Sequence, residues 1–76
     1  MKELLTYIVQ NLVDHPEDIR ITETQVGNEL TLEVRVHSDD MGKVIGRQGR
    51  IAKSIRSVVR SAAQRQGLRV NVEIKD

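Results

Sequence analysis

The sequence predicts an α+β domain of order α-β-β-α-α-β, with a three-stranded mixed sheet and three helices packed on one face. Three observations predict it. Apolar residues fall at helical spacing over 2–13 and again over 50–66, and they alternate along three other runs. A Gly-Asn pair joins the first two alternating runs, and glycines bound a break between two later helical segments.

Leu5, Ile8, Val9 and Leu12, flanked by Leu4 and Val13, make residues 2–13 an amphipathic helix that Pro16 is expected to end. Residues 19–26 then begin with apolar and polar residues in alternation. Residues 29–37 put Leu30, Leu32, Val34 and Val36 on one face, the clearest strand of the chain. Gly27-Asn28 between them suits a tight antiparallel hairpin, because both residues tolerate positive φ. Ser38, Asp39 or Asp40 is placed to accept from the first free amides of a short helix running to about Ile45. From Arg50 to Gln66 the stripe Ala52, Ile55, Val59, Ala62 predicts a longer helix, closed by Gly67 in a left-handed conformation. Leu68, Val70, Val72 and Ile74 alternate as a third strand. The two-helix crossover leading to it suits parallel pairing with the second strand.

Seventy-six residues leave no room for a second core, so a single domain over 1–76 is expected. There is no cysteine, hence no disulfide and no thiolate metal site. No apolar run approaches the roughly 20 residues of a spanning helix, and the first residues do not resemble a signal peptide. A cytoplasmic protein with no membrane partner is expected.

The formal net charge of +1 hides a segregated chain. Residues 1–40 hold three basic residues against nine acidic ones, whereas residues 41–72 hold eight basic residues and no acid. Such separation presents a local positive field, to which a phosphate backbone responds, although a solvated helix face would look the same in sequence. Gly46-Arg47-Gln48-Gly49 lies within the basic half and joins two helices through a sharp four-residue turn. Amides opening the second helix lack intrahelical partners and carry the positive end of its dipole. The four positions are therefore expected to offer their donors outward to an anion, with Lys43, Arg47, Arg50 and Lys53 around the approach.

The run from Val44 to Ile55, VIGRQGRIAKSI, resembles the signature of K-homology (KH) domains, an apolar residue and Ile before Gly-x-x-Gly, then spaced aliphatics. The element order resembles the type II, prokaryotic KH arrangement over nearly the whole chain, and the length resembles the small bacterial single-KH proteins of the KhpA type. One departure is that Ala52 stands where many KH domains carry isoleucine, with Ile51 one place earlier. The resemblance implies a non-catalytic protein that holds about four nucleotides of single-stranded RNA, the backbone at the loop and the bases in a shallow apolar groove. Carried over by position, Gly46, Arg47, Gln48 and Gly49 are the clamp, and Val44, Ile45, Ile51 and Ile55 match the aliphatic positions. Spacing leaves open which of these line the groove and which are core, with Ile55 assigned to core. Arg50 and Lys53 join the RNA-binding set on charge and helical spacing. The sole aromatic among Phe, Trp and Tyr is Tyr7, so no base-stacking platform is present. A role as an RNA chaperone or post-transcriptional regulator follows from the resemblance.

Ile51, Ser54, Val58 and Ser61 form a second seam at spacings of three, four and three residues, a pattern suited to helix contact and hence to a homodimer. The KhpA-like resemblance also implies self-association and pairing with a larger KH-containing partner of the KhpB (Jag) type. The alternative reading is a protein-interaction adaptor that keeps the KH fold without using the loop for RNA. Catalysis has no support. His15 and His37 read as separate surface histidines, Asp39-Asp40 as helix caps, and Gly42-Lys43 lacks the remainder of a P-loop. No cofactor and no metal are expected.

Overall fold

In the computed structural model, which describes residues 1–76, the expected order is realised as α1 (Lys2–Gln10), β1 (Arg20–Val26), β2 (Glu29–Arg35), α2 (Met41–Ile45), α3 (Arg50–Gln64) and β3 (Arg69–Lys75). Single 3-10 turns at Pro16–Asp18, Ser38–Asp40 and Arg47–Gly49 fill the connections. The sheet order is β1-β2-β3. β1 pairs antiparallel with β2, Val26 opposite Glu29, through a two-residue turn in which Gly27 alone takes positive φ. That is the pattern of a type II′ hairpin, whose twist matches the flanking strands. β2 pairs parallel with β3, Leu30 opposite Val70 and Leu32 opposite Val72, as the crossover requires.

One face of this mixed sheet is covered. Leu30, Leu32, Val34 and Val36 are buried, joined by Val70 and Val72 of β3. Leu5 and Val9 of α1, Val44 of α2, and Ile55, Val59 and Ala63 of α3 pack onto them to complete the core. On α3 the buried stripe ends at Ala63 rather than Ala62, which is only half-buried, because 63 returns closer to the azimuth of 52 at about 100° per residue. β1 is covered only where it begins, at Ile21, and its farther half runs out past the helices. α3 ends as expected: Gly67 has φ +72°, its amide donates to Gln64 O and Leu68 N donates to Ala63 O, the two bonds of a Schellman closure.

α1 departs from expectation by stopping at Gln10, well before Pro16. Asn11 reaches back with Nδ2 to Tyr7 O at 2.7 Å, and Leu12 and Val13 both donate to Val9 O, so the last turn tightens and unwinds. The chain is then captured by a carboxylate. Asp40, whose side chain is wholly buried, accepts from Asp14 N at 3.1 Å and His15 N at 2.9 Å. Asp40 therefore staples the loop after α1 to the start of α2, and it caps no amide of its own helix. α2 has no side-chain cap; His37 Nδ1, 3.0 Å from Asp39 N, caps the 3-10 turn Ser38–Asp40 before it. Burial pulls the Asp40 carboxyl pKa upward, but the two amide bonds and the neighbouring His15 and Lys43 charges outweigh it and hold the group below the ordinary carboxylate range.

A carboxylate held low stabilises the fold above its ordinary pKa of about 4, and this contribution disappears as pH falls through the lowered value. Asp40→Asn, which can accept one amide but presents an NH2 group to the other, is expected to melt several degrees below the parent at neutral pH. In thermal scans the gap should narrow on acidification below about pH 4. A gap independent of pH would remove the ionised carboxylate from the account.

Candidate nucleic-acid interface

The four residues between α2 and α3 take backbone conformations that explain their glycines. Gly46 has φ +74° and ψ 174°, Gln48 φ +57°, and Gly49 φ +73°. The Gly46 conformation is in practice confined to glycine. Space matters there too: a Cβ on Gly46 would lie 2.6 Å from Cγ1 of Ile51, whereas one on Gly49 would meet nothing within 4 Å. Ile51 thus packs beneath the loop it follows.

Not all four loop donors point outward. Gly46 N donates to Gly42 O at 2.9 Å and Gly49 N to Gly46 O at 3.1 Å, so both glycine amides are spent inside the turn. The Arg50 amide bonds to Arg47 O. The amides of Arg47 and Gln48 have no intramolecular acceptor, and both residues are exposed. Two adjacent free donors remain where four were expected. They lie in a positive-φ turn at the start of α3, where the helix dipole also favours an anion.

The cations expected around the loop divide. Lys43 is diverted, because its ammonium lies 2.7 Å from Asp14 Oδ2 and 3.6 Å from Asp40 Oδ1. The Asp14 hydrogen bond, outweighing partial burial, raises its pKa with further help from Asp40. Arg47, Arg50 and Lys53 are exposed and no carboxylate lies within ion-pair distance of them; Arg50 leans weakly on Gln48 Oε1 at 3.4 Å. Arg56, Arg60 and Arg69 are equally free of acid partners. The spacing of three and four residues that links Lys53, Arg56 and Arg60 is the signal that could have added them.

The aliphatic positions also sort themselves. Val44 and Ile55 are core, while Ile45 and Ile51 are each 36% exposed. Besides packing against Gly46, Ile51 lines a groove of about 480 Å³ between α1 and α3 with Ser54, Val58, Leu4, Tyr7 and Ile8. Val58 is 50% and Tyr7 64% exposed, so this is an open apolar surface. Ser61 lies in an adjoining depression with Val58 and Ala62. The expected seam on α3 is thereby brought together, and α1 supplies a second wall that the spacing of α3 alone does not reveal.

His15 and His37 are half-buried partners rather than separate surface residues. Their rings stack at 4.2 Å between centroids and 24° between planes, with Asp39 close by. Within this contact His37 Nδ1 accepts from Asp39 N at 3.0 Å.

The family model for the KH domain of KhpA/KhpB matches residues 2–74. The RNA-binding protein KhpA of Halalkalibacterium halodurans is 54% identical over 76 residues, covering all of both chains. That of Clostridium perfringens is 51% identical over 74 residues, 97% of this chain and 99% of the relative. Among solved structures, Aquifex aeolicus Era bound to GDP and AlF4⁻ superposes with a TM-score of 0.71 at 17% identity, over 96% of this chain and 29% of that longer one. Era in complex with MgGDPNP and nucleotides 1506–1542 of 16S ribosomal RNA gives 0.69 at 20% identity, over 96% of this chain and 28% of Era. The Era likeness establishes a KH-type fold. No helix is long and apolar enough to cross a membrane.

The loop geometry predicts unequal costs for its two glycines. Gly46→Ala meets both a forbidden backbone and Ile51, for about 2–5 kcal/mol in urea unfolding. Gly49→Ala meets only the left-handed penalty, about 1–2 kcal/mol. Equal losses would contradict the close packing of Ile51 beneath Gly46.

Proposed function

The chain belongs to the KhpA/KhpB family of KH domains, and on that premise we propose that it binds single-stranded RNA, holding the backbone at Gly46–Gly49. The observation that carries this reading is the pair of unsatisfied amides at Arg47 and Gln48, presented by a turn with no side chain at either end and flanked by unpaired Arg47, Arg50 and Lys53. A phosphate placed there accepts from two backbone donors and from guanidinium groups that no carboxylate competes for. The exposed part of Ile45 offers aliphatic surface beside the clamp, in place of an aromatic platform. The full-length relatives named as RNA-binding proteins support the same ligand.

Four or so phosphate contacts to a single strand make a weak module, with a salt dependence of log K against log salt of roughly −3. Affinity then comes from multiplicity. The open groove between α1 and α3 supports a homodimer in which Ile51, Ser54, Val58 and Ser61 meet a second copy, placing two loops on one particle. The same surface suits a larger KH-containing partner of the KhpB (Jag) type. RNA chaperoning or post-transcriptional regulation from the cytoplasm is the role such weak, paired binding fits, and nothing in it requires catalysis or a cofactor.

Two variants test these statements separately. Arg47→Asp with Gln48→Asp adds negative charge at the free amides, and aspartate tolerates the positive φ at position 48. Melting temperature should stay within a few degrees while binding to short oligouridylates in an anisotropy titration is lost. Binding at parental strength would end the loop reading, and a protein partner still captured after nuclease treatment would favour the adaptor. Val58→Glu is expected to leave a folded monomer by light scattering, and an unchanged mass would place any self-association elsewhere.

A further inference from the structure

The loop after α1 and the turn before α2 bring together side chains that sequence spacing does not relate. His15, His37 and Asp39 each place a ligand-type atom, an imidazole nitrogen or a carboxylate oxygen, within 4.8 Å of the other two, and Glu17 and Asp18 do the same around His15. Two pairs are closer still: His15 Nδ1 lies 3.7 Å from Glu17 Oε2, and His37 Nδ1 lies 3.7 Å from Asp39 Oδ2. The backbone beneath them is fixed. Asp40 accepts from the His15 amide at 2.9 Å, and its own amide donates to His37 O at 2.8 Å, so one buried residue fastens both segments. The side chains above it stay accessible, with both rings half-buried and Glu17 and Asp39 exposed. No lysine or arginine neutralises these two carboxylates, because the ammonium of Lys43 is held by Asp14 and Asp40.

We propose that His15, His37, Asp39 and Glu17 form a site for a first-row divalent ion of the zinc type, which clips the loop after α1 to the turn that opens α2. The site lies at the end of α2 opposite the glycine loop, so it is independent of the RNA-binding reading above. Two imidazoles and two carboxylates are a donor set such an ion takes, and four donors close a tetrahedral shell. Bonds of about 2.0–2.2 Å place tetrahedral donors about 3.4 Å apart, close to the separation of the two pairs already formed. His15 with Glu17 and His37 with Asp39 then close on each other, a movement open to side chains at the surface. Two changes must accompany it. Ring nitrogens hold their lone pairs in the ring plane, so the face-to-face stack of His15 on His37 opens. The Nδ1 lone pair of His37 now accepts from Asp39 N, and an ion that takes this lone pair releases that amide. Both changes lower the affinity, and both leave a signature by which occupation of the site is recognised.

The test titrates zinc chloride into the metal-free chain at about pH 7.5, where free imidazole is mostly unprotonated and able to ligate. Imidazole nitrogen and backbone amide NMR shifts follow the binding. The ring nitrogens of His15 and His37 and the Asp39 amide are expected to move together and to saturate at one ion per chain. Magnesium at the same concentration should move none of them, because it takes oxygen donors and keeps its water. Zinc should also raise the melting temperature, as any ligand of the folded state alone does. His15→Ala spares the backbone amide that Asp40 holds, and Asp39→Asn keeps the amide that His37 accepts from. Each should weaken zinc binding by more than about tenfold and cancel the rise in melting temperature. The amide spectrum before zinc is added reports whether each variant is folded. The proposal is overturned if zinc leaves both rings unmoved in the parent, or if the folded variants bind zinc as tightly as the parent does. Light scattering that shows zinc doubling the mass would also overturn it, since the ion would then be shared between two copies.

Discussion

The chain must reverse between α2 and α3 within four residues, and most of what is distinctive here follows from that constraint. Both helices contribute to one core, Val44 from the first and Ile55 from the second, so neither can move to ease the turn. Three of the four loop residues accordingly take positive φ, and Ile51 closes beneath Gly46. A turn this tight consumes the glycine amides internally and leaves the next two donors without partners. The exposed donors are a by-product of packing the helices, so the residues that the reversal requires are also those that hold out free amides.

A second restraint acts on the other end of α2. The cost of burying Asp40 is offset by two backbone amides from the loop after α1, with Lys43 beside it. That arrangement ties a segment 25 residues away to the first turn of α2, stacks His15 on His37, and removes Lys43 from the cations free to face a ligand. The short helix is fixed at both ends, by a carboxylate at one and a glycine turn at the other. Its five residues could not hold their position by helix propensity alone.

α3 divides its circumference among three tasks. Ala52, Ile55, Val59 and Ala63 are buried. Ile51, Ser54 and Val58 turn toward α1 and leave an apolar groove, while Lys53, Arg56 and Arg60 lie toward the edge of β3. The periodicity of about 100° per residue keeps these sets apart. The apolar groove and the basic stripe therefore use different side chains of one helix.

The features legible in the sequence are those decided by neighbours a few residues apart. Alternation located β2 and β3, the Gly-Asn pair located the hairpin, Gly67 closed α3 as its position implies, and the two spaced glycines marked the loop. Each depends on local backbone preference or on one apolar face, and both are properties of short segments. The early end of α1, the burial of Asp40, the pairing of His15 with His37, the engagement of Lys43, and the count of two free loop amides depend on groups brought together from distant parts of the chain. A sequence specifies which residues are charged and which helix carries them. Only packing decides which charges find partners first, because ion pairs and buried hydrogen bonds form between whatever the folded core sets within about 3–4 Å of each other.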